Sequence, residues 1–242
     1  MNEIETLNQM IQSSSRIVFL GGAGVSTESG IPDFRSENGY FTALKEFGEP
    51  PEVLLSHDYF MEHPDKFYQY YRKYLMVTNA KPNPAHYGLV KLEKQGKLAA
   101  VITQNIDGLH RIAGSKTVLE LHGTIYRNFC IECNRIYKIS EIQKQTGIPH
   151  CSCGGIIRPD IVLYNEDLDS YILNSAKVYV QTADMLIVGG TSLAVYPAAG
   201  LVNFYFGKKL VLINKSETPY DHAANLIIRR PIGEVFQELM TI

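Results

Sequence analysis

Four short runs of aliphatic and β-branched residues constrain the fold most: IVFL at residues 17–20, AAVI at 99–102, MLIV at 185–188 and LVLI at 210–213. Each is followed at once by small or polar residues, namely GGAGVS, TQNIDG, GGTS and NKSE. A strand with one wet face alternates apolar and polar side chains, whereas a parallel strand covered by helices on both faces is apolar throughout. Helical patterns lie between the runs, such as PAHYGLVKLEKQ, with Asn83 placed as a cap and Pro84 in the first turn. The expected fold is therefore α/β, a Rossmann-like doubly wound parallel sheet. Ligands bind outside the carboxyl ends of such strands, so the four polar motifs are expected to converge on one crevice. At 242 residues and 45% hydrophobic, the chain has room for a smaller module besides.

The first motif, GAGVSTESGIPDFRS at 22–36, opens like a dinucleotide-binding turn but departs from the hydride-transfer fingerprint. Thr27 stands where a small residue lets the next helix pack close, and EFGEPPEV, beyond Glu46, has no strand pattern to present a ribose-binding acid. After the glycines comes a rigid polar loop, SGIPDFR, suited to covering a ligand. With 23 basic and 25 acidic residues the net charge is -2, which argues against nucleic-acid binding as the main task. The aromatics of FYQYYRKYLM (Phe67, Tyr70, Tyr71, Tyr74) follow helical spacing and are read as a packed face, not a base-stacking surface. No signal peptide and no run of roughly 20 apolar residues is visible, so a cytoplasmic protein without membrane contact is expected.

All four cysteines fall between residues 125 and 160. Cys130 and Cys133 form a CxxC pair, and after 17 intervening residues Cys151 and Cys153 follow as CSC, ahead of Gly154 and Gly155. Two knuckles at that separation match a zinc ribbon, a closed structural site in which zinc does no chemistry. The second pair is one residue short of CxxC, so a tighter turn is required, or His150 replaces a thiolate. A redox or disulfide role is the alternative.

Taken in order, GAGVSTESGIPDFRS, TQNIDGLH, ELHGT, the cysteine pairs, IRPDIVLYNE, GGTSLAVYPAAG and INKSE resemble the sirtuin family, the NAD-consuming protein lysine deacylases, from about residue 10 to about residue 235. The resemblance implies one catalytic domain. Its large NAD-binding lobe would take in about 1–36, 81–124 and 161–242, and its small lobe a helical part at 37–80 and a zinc ribbon at 125–160. It implies cleavage of the bond between nicotinamide and ribose, with Asp107, Asn105 and Ile106 in the nicotinamide pocket, Phe34 over it between Asp33 and Arg35, and Gln104 on the adjacent ribose. His122 would be the base that takes a proton from a ribose hydroxyl so that it attacks the acyl-imidate intermediate. Ala23, Gly24, Ser26 and Thr27 would cradle the phosphates at a helix start, completed by Thr191 and Ser192, with Asn214 on the adenosine ribose and Ile232 against the adenine. An acylated peptide would add as a strand between Val162, Leu163 and Tyr164 on one side and Leu193 to Tyr196, including Val195, on the other. The zinc ligands would be Cys130, Cys133, Cys151 and Cys153.

Three positions depart from the family pattern: Asn165 where glycine is usual, Thr124 where serine is commoner, and Ser216 where an acidic residue often stands. Family members that prefer succinyl or malonyl lysine carry a tyrosine and, three positions on, an arginine; here Tyr40 is followed by Ala43, with no arginine between Arg35 and Arg72. Neutral acyl groups are therefore expected, in an apolar pocket lined by residues such as Phe41, Leu44 and Phe47. The competing readings are an NAD-dependent ADP-ribosyltransferase and a non-catalytic NAD-sensing or peptide-binding module.

Overall fold

In the computed structural model, which describes residues 2–33 and 37–242, the four apolar runs lie side by side. In chain order the strands are β1 (Ile17–Gly21), β2 (Leu98–Thr103), β3 (Val118–Glu120), β4 (Gly123–Cys130), β5 (Ile136–Lys138), β6 (Ile157–Ile161), β7 (Met185–Gly189), β8 (Leu210–Ile213) and β9 (Leu226–Ile228). Six of them form one sheet in the order β3-β2-β1-β7-β8-β9, with every neighbouring pair parallel. The order reverses direction between β1 and β7, the position at which a doubly wound sheet opens a crevice.

Side chains of β1 explain the unbroken apolar pattern. Ile17 and Phe19 enter a core shared with Leu7, Leu89 and Phe236, from helices Glu3–Gln12, Pro84–Lys94 and Ile232–Leu239. Val18 and Leu20 enter the opposite core with Ala176 and Val180, from helix Ser170–Gln181. Both faces are thus dry, as a covered parallel strand requires.

Asn83 caps helix Pro84–Lys94 by accepting from the Ala85 N–H, while its own N–H donates to His86 Nδ1. The His86 ring lies 4.7 Å from that of His110, and both are buried. Among the described residues, His86 Nε2 and both ring nitrogens of His110 have no hydrogen-bond partner, so protonating either residue would bury a charge. Burial holds His86 down at about 4 and His110 well below the ordinary histidine value, the latter helped by His86 itself. Because the folded-state values are depressed, the stability they contribute is complete above the unfolded histidine value, about 6.5, and is lost as pH falls from there toward 4. Thermal midpoints measured across pH 7 to 4 are therefore expected to fall through this window. A His86→Gln variant should flatten part of that fall, and a pH-independent midpoint would contradict the assignment.

A second, antiparallel sheet in the order β5-β4-β6 ends β4 on Cys130 and holds the other three cysteines in the connections between its strands. Against it pack short helices from Glu37–Phe47 to Pro64–Tyr70, the last running on into a wider π-helical turn, Tyr71–Leu75. Phe67, Tyr70 and Tyr71 are buried and Tyr74 is half-buried, so these rings form a packed face. The Tyr68 hydroxyl donates to the Ile157 carbonyl, tying this helical segment to β6. No helix among the described residues is long and apolar enough to cross a membrane.

Candidate active site

Loops leaving the carboxyl ends of β1 and β7 touch backbone to backbone. The Gly24 N–H donates to the Gly190 carbonyl at 2.8 Å, and a Cβ on Gly24 would lie 2.8 Å from the Gly190 Cα. Gly190 adopts φ +59° with its Cβ position 2.4 Å from the Val25 nitrogen, so any side chain would push the loops apart. After the glycines the chain forms two single 3₁₀ turns, Ala23–Val25 and Thr27–Ser29, in place of the expected helix start. Three of the four residues expected around the phosphates already have partners here. The Gly24 N–H is spent on Gly190, the Thr27 hydroxyl donates to the Gly24 carbonyl at 3.0 Å, and the Ser26 hydroxyl turns inward.

Ser26 donates to Asp107 Oδ2 at 2.6 Å and accepts from Asn105 Nδ2 at 3.1 Å, while the Leu109 N–H donates to Asp107 Oδ1 at 2.8 Å. Burial pushes the Asp107 carboxyl upward, opposed by the Ser26 and Leu109 bonds. The loop after β2 is held in place by the Gln104 N–H on the Gly21 carbonyl and by Gln104 Nε2 on Thr191 Oγ1, 3.2 Å away. His122, between β3 and β4, has Nδ1 2.9 Å from the Gln104 carbonyl oxygen. A carbonyl can only accept, so Nδ1 carries the ring proton and Nε2 presents the lone pair of a base.

Two cavities adjoin above these loops. One, of about 270 Å³, is lined by Ser26, Asn105, Ile106, Asp107, His122, Val162, Leu163 and Tyr164, with apolar walls from Ile31, Leu55, Leu75 and Ile161. The other, of about 330 Å³, is lined by Gly24, Thr27, Thr191, Ser192, Asn214 and Ile232. Ala23, Asp33, Gln104 and Val195 border both, so the crevice is continuous. Ile232 is only 2% exposed and meets the second cavity at its edge. Asn214 Nδ2 donates to the Ser216 carbonyl, 2.9 Å away, so Ser216 takes part through its backbone.

Several expectations change. Phe34 and Arg35 lie outside the described residues. Leu193 is 1% exposed, at φ +55°, with its side chain in the core beside helix Ser170–Gln181, so any part it takes in receiving a peptide strand falls to its backbone. Neither Phe41, Leu44 nor Phe47 is among the described lining residues; Phe47 packs edge-on against Tyr70 at 5.3 Å and Phe41 is 57% exposed. Asn165 holds φ +69°, the left-handed conformation for which glycine would otherwise be needed. Sequence reading missed Glu166, which lines the first cavity, and Lys215 and Arg230, which line the second. Glu166 ends the IRPDIVLYNE stretch and Lys215 neighbours Asn214, whereas Arg230 had no local signal.

The four cysteine sulfurs lie within 4.8 Å of one another, with Cys130 to Cys153 at 3.5 Å and Cys133 to Cys151 at 3.6 Å. Tetrahedral thiolates around zinc stand about 3.8 Å apart, so the set is placed to hold that ion. CSC replaces CxxC through a turn in which the Cys151 N–H donates to the Gly155 carbonyl at 2.8 Å and Gly154 adopts φ +93°. A Cβ on Gly155 would lie 2.7 Å from Cys130 Sγ. His150 is not in the cluster; its Nδ1 lies 3.3 Å from the Gly154 carbonyl.

Residues 22–197 match the Sir2 family. The chain is 52% identical over 242 residues to an NAD-dependent protein deacetylase of Clostridium acetobutylicum, covering 99% of each. It is 54% identical over 237 residues to one of Clostridium tetani, covering 97% of this chain and 96% of the relative. Among solved structures, Sir2 with a p53 peptide and NAD+ superposes with a TM-score of 0.88 at 39% identity, covering 100% of this chain and 98% of the other.

Proposed function

The chain belongs to the Sir2 family, and from that premise we infer that it is an NAD-dependent protein lysine deacetylase which consumes NAD and releases nicotinamide, acetyl-ADP-ribose and the deacetylated protein. The observation that carries the mechanism is the His122 Nδ1 bond to the Gln104 carbonyl, which leaves Nε2 as the basic nitrogen of a residue that lines the cavity with Asn105 and Asp107. NAD supplies the activated bond between nicotinamide and ribose. Asp107, fixed by Ser26 and Leu109, accepts the nicotinamide carboxamide N–H beside Asn105 and Ile106, and Gln104 holds the adjacent ribose. His122 then removes a proton from the ribose hydroxyl. The adenosine end occupies the second cavity, with Thr191, Ser192 and the loop around Ala23, Gly24 and Thr27 at the phosphates and Asn214 and Ile232 beyond. Asp33 borders both cavities, and Phe34 and Arg35, which lie outside the described residues, are assigned to the nicotinamide end by family resemblance alone.

Acylated peptide enters between Val162–Tyr164 and the Val195 side of the first cavity. In this reading the parallel sheet is the core of the large lobe and the helices from 37 with the cysteine sheet form the small one. A cytoplasmic location fits four free thiols used as metal ligands. Mass spectrometry of a reaction of the chain with NAD and an acetyl-lysine peptide should find nicotinamide, acetyl-ADP-ribose and free lysine peptide in equal amounts. ADP-ribosylated protein without deacetylation, or no product, would overturn the reading.

Acyl selectivity follows from the cavity's charge. Asp33, Asp107 and Glu166 line it, and no lysine or arginine is among its described lining residues. Against these described residues an acidic acyl chain would lose its hydration without gaining a cation, at several kcal/mol, so kcat/KM for succinyl-lysine is expected to be at least about 100-fold below that for acetyl-lysine on the same peptide. Equal or faster desuccinylation would refute this.

A further inference from the structure

Glu166 closes the turn that follows Val162–Tyr164, and its carboxylate accepts four hydrogen bonds at the peptide side of the crevice. Its Oε1 accepts from Arg158 Nη1 at 2.6 Å and from His57 Nδ1 at 2.8 Å, and its Oε2 accepts from Arg158 Nη2 at 2.9 Å and from the Leu163 N–H at 2.8 Å. Although burial alone would raise its pKa, the Arg158, Leu163 and His57 bonds bring it down to about 2, so it is ionised at neutral pH. Arg158 is 8% exposed, lies 5.5 Å from the ring centres of both Phe60 and Phe129, and also donates to the Ile161 carbonyl at 2.9 Å. The ion pair therefore joins β6, helix His57–Glu62 and the 162–166 turn from beneath. From above, Tyr164 is pinned through its N–H to the Leu55 carbonyl and through its own carbonyl to the His57 N–H.

We propose that Glu166, anchored by Arg158, is the positioning residue of the groove wall: it fixes Val162–Tyr164 at the height and register that receive an acyl-lysine strand, and so sets peptide affinity without entering the chemistry. This deepens the deacetylase reading and rests on it. Although Glu166 lines the first cavity, its bonds go to Arg158, His57 and Leu163 and to none of Gln104, Asn105, Ile106 or Asp107 at the nicotinamide end, nor to the second cavity, so its loss should be felt by the peptide more than by NAD.

Steady-state kinetics of the full chain test it. Glu166→Ala should raise the peptide KM about tenfold or more, since charged hydrogen bonds to a buried partner are removed, while kcat and the KM for NAD stay within about twofold. Glu166→Gln keeps the shape and one acceptor oxygen and should fall between that variant and the native chain. His57→Gln, which removes one bond at the rim, should have the smallest effect. An unchanged peptide KM in Glu166→Gln and Glu166→Ala overturns the proposal, and so does a parallel fall in NAD affinity and kcat, which would mark general loosening. Should Glu166→Ala not fold, the Glu166→Gln result decides alone. A native chain inactive on every acyl-lysine peptide would instead overturn the functional reading itself.

Discussion

Replacing His122 by alanine is expected to lower turnover roughly 10²- to 10⁴-fold, the range for a positioned general base, while NAD binding survives. The geometry separates the two effects. The His122 imidazole bonds the Gln104 main-chain carbonyl, and the Gln104 loop is independently held by its N–H on Gly21 and its side chain on Thr191. Removing the imidazole therefore deletes a proton acceptor without freeing the loop that borders both cavities. Turnover on an acetyl-lysine peptide, paired with an NAD titration of the same preparation, gives the split, and near-native deacetylation would remove His122 from the role. Other histidines do not compete for it. His57 is committed to Glu166, and the buried rings of His86 and His110 lie outside the described lining of both cavities.

How much of this was legible in the sequence divides along physical lines. Strands covered on both faces write themselves as unbroken apolar runs, so β1, β2, β7 and β8 were readable, whereas the three-residue edge strands β3 and β9 are too short to carry a pattern. Local chemistry was readable too: Asn83 as a cap, and Asn165 as a residue tolerant of φ +69°. Contacts between distant segments were not. The Gly24 to Gly190 bond uses up an N–H that sequence reading left for phosphate, and the positive φ of Leu193 that turns its side chain into the core has no signature in a leucine. Arg158, Glu166 and His57 gather from three elements, and each residue alone looks like an ordinary surface charge.

Zinc removal should disable the protein from the cysteine sheet outward, reaching peptide binding before NAD binding. Around the four sulfurs the buried apolar side chains are few: Ile142 and Ile157 beside Cys130 and Cys151, with Tyr137 half-buried against them. Such a core cannot hold β4, β5 and β6 in place alone, and metal affinity at a site of this kind, about 10–16 kcal/mol in small zinc modules, acts as folding energy. The path to the groove runs through β6. Ile157 belongs to the cysteine core and accepts from Tyr68, and the next residue, Arg158, grips Glu166 beneath the Val162–Tyr164 wall. Elemental analysis of protein purified in the presence of a weak chelator is expected to find one zinc per chain, with Cys130→Ser or Cys151→Ser losing it and His150→Ala keeping it, since His150 stands outside the cluster. Stripping the metal should then abolish binding of an acetylated peptide at a chelator dose that leaves NAD affinity measurable, because the parallel sheet and its two cores contain none of the cysteines. Protein that is active and contains no zinc would refute the structural role, and simultaneous loss of both ligands would show that the cysteine sheet supports the whole chain instead of one wall of the groove.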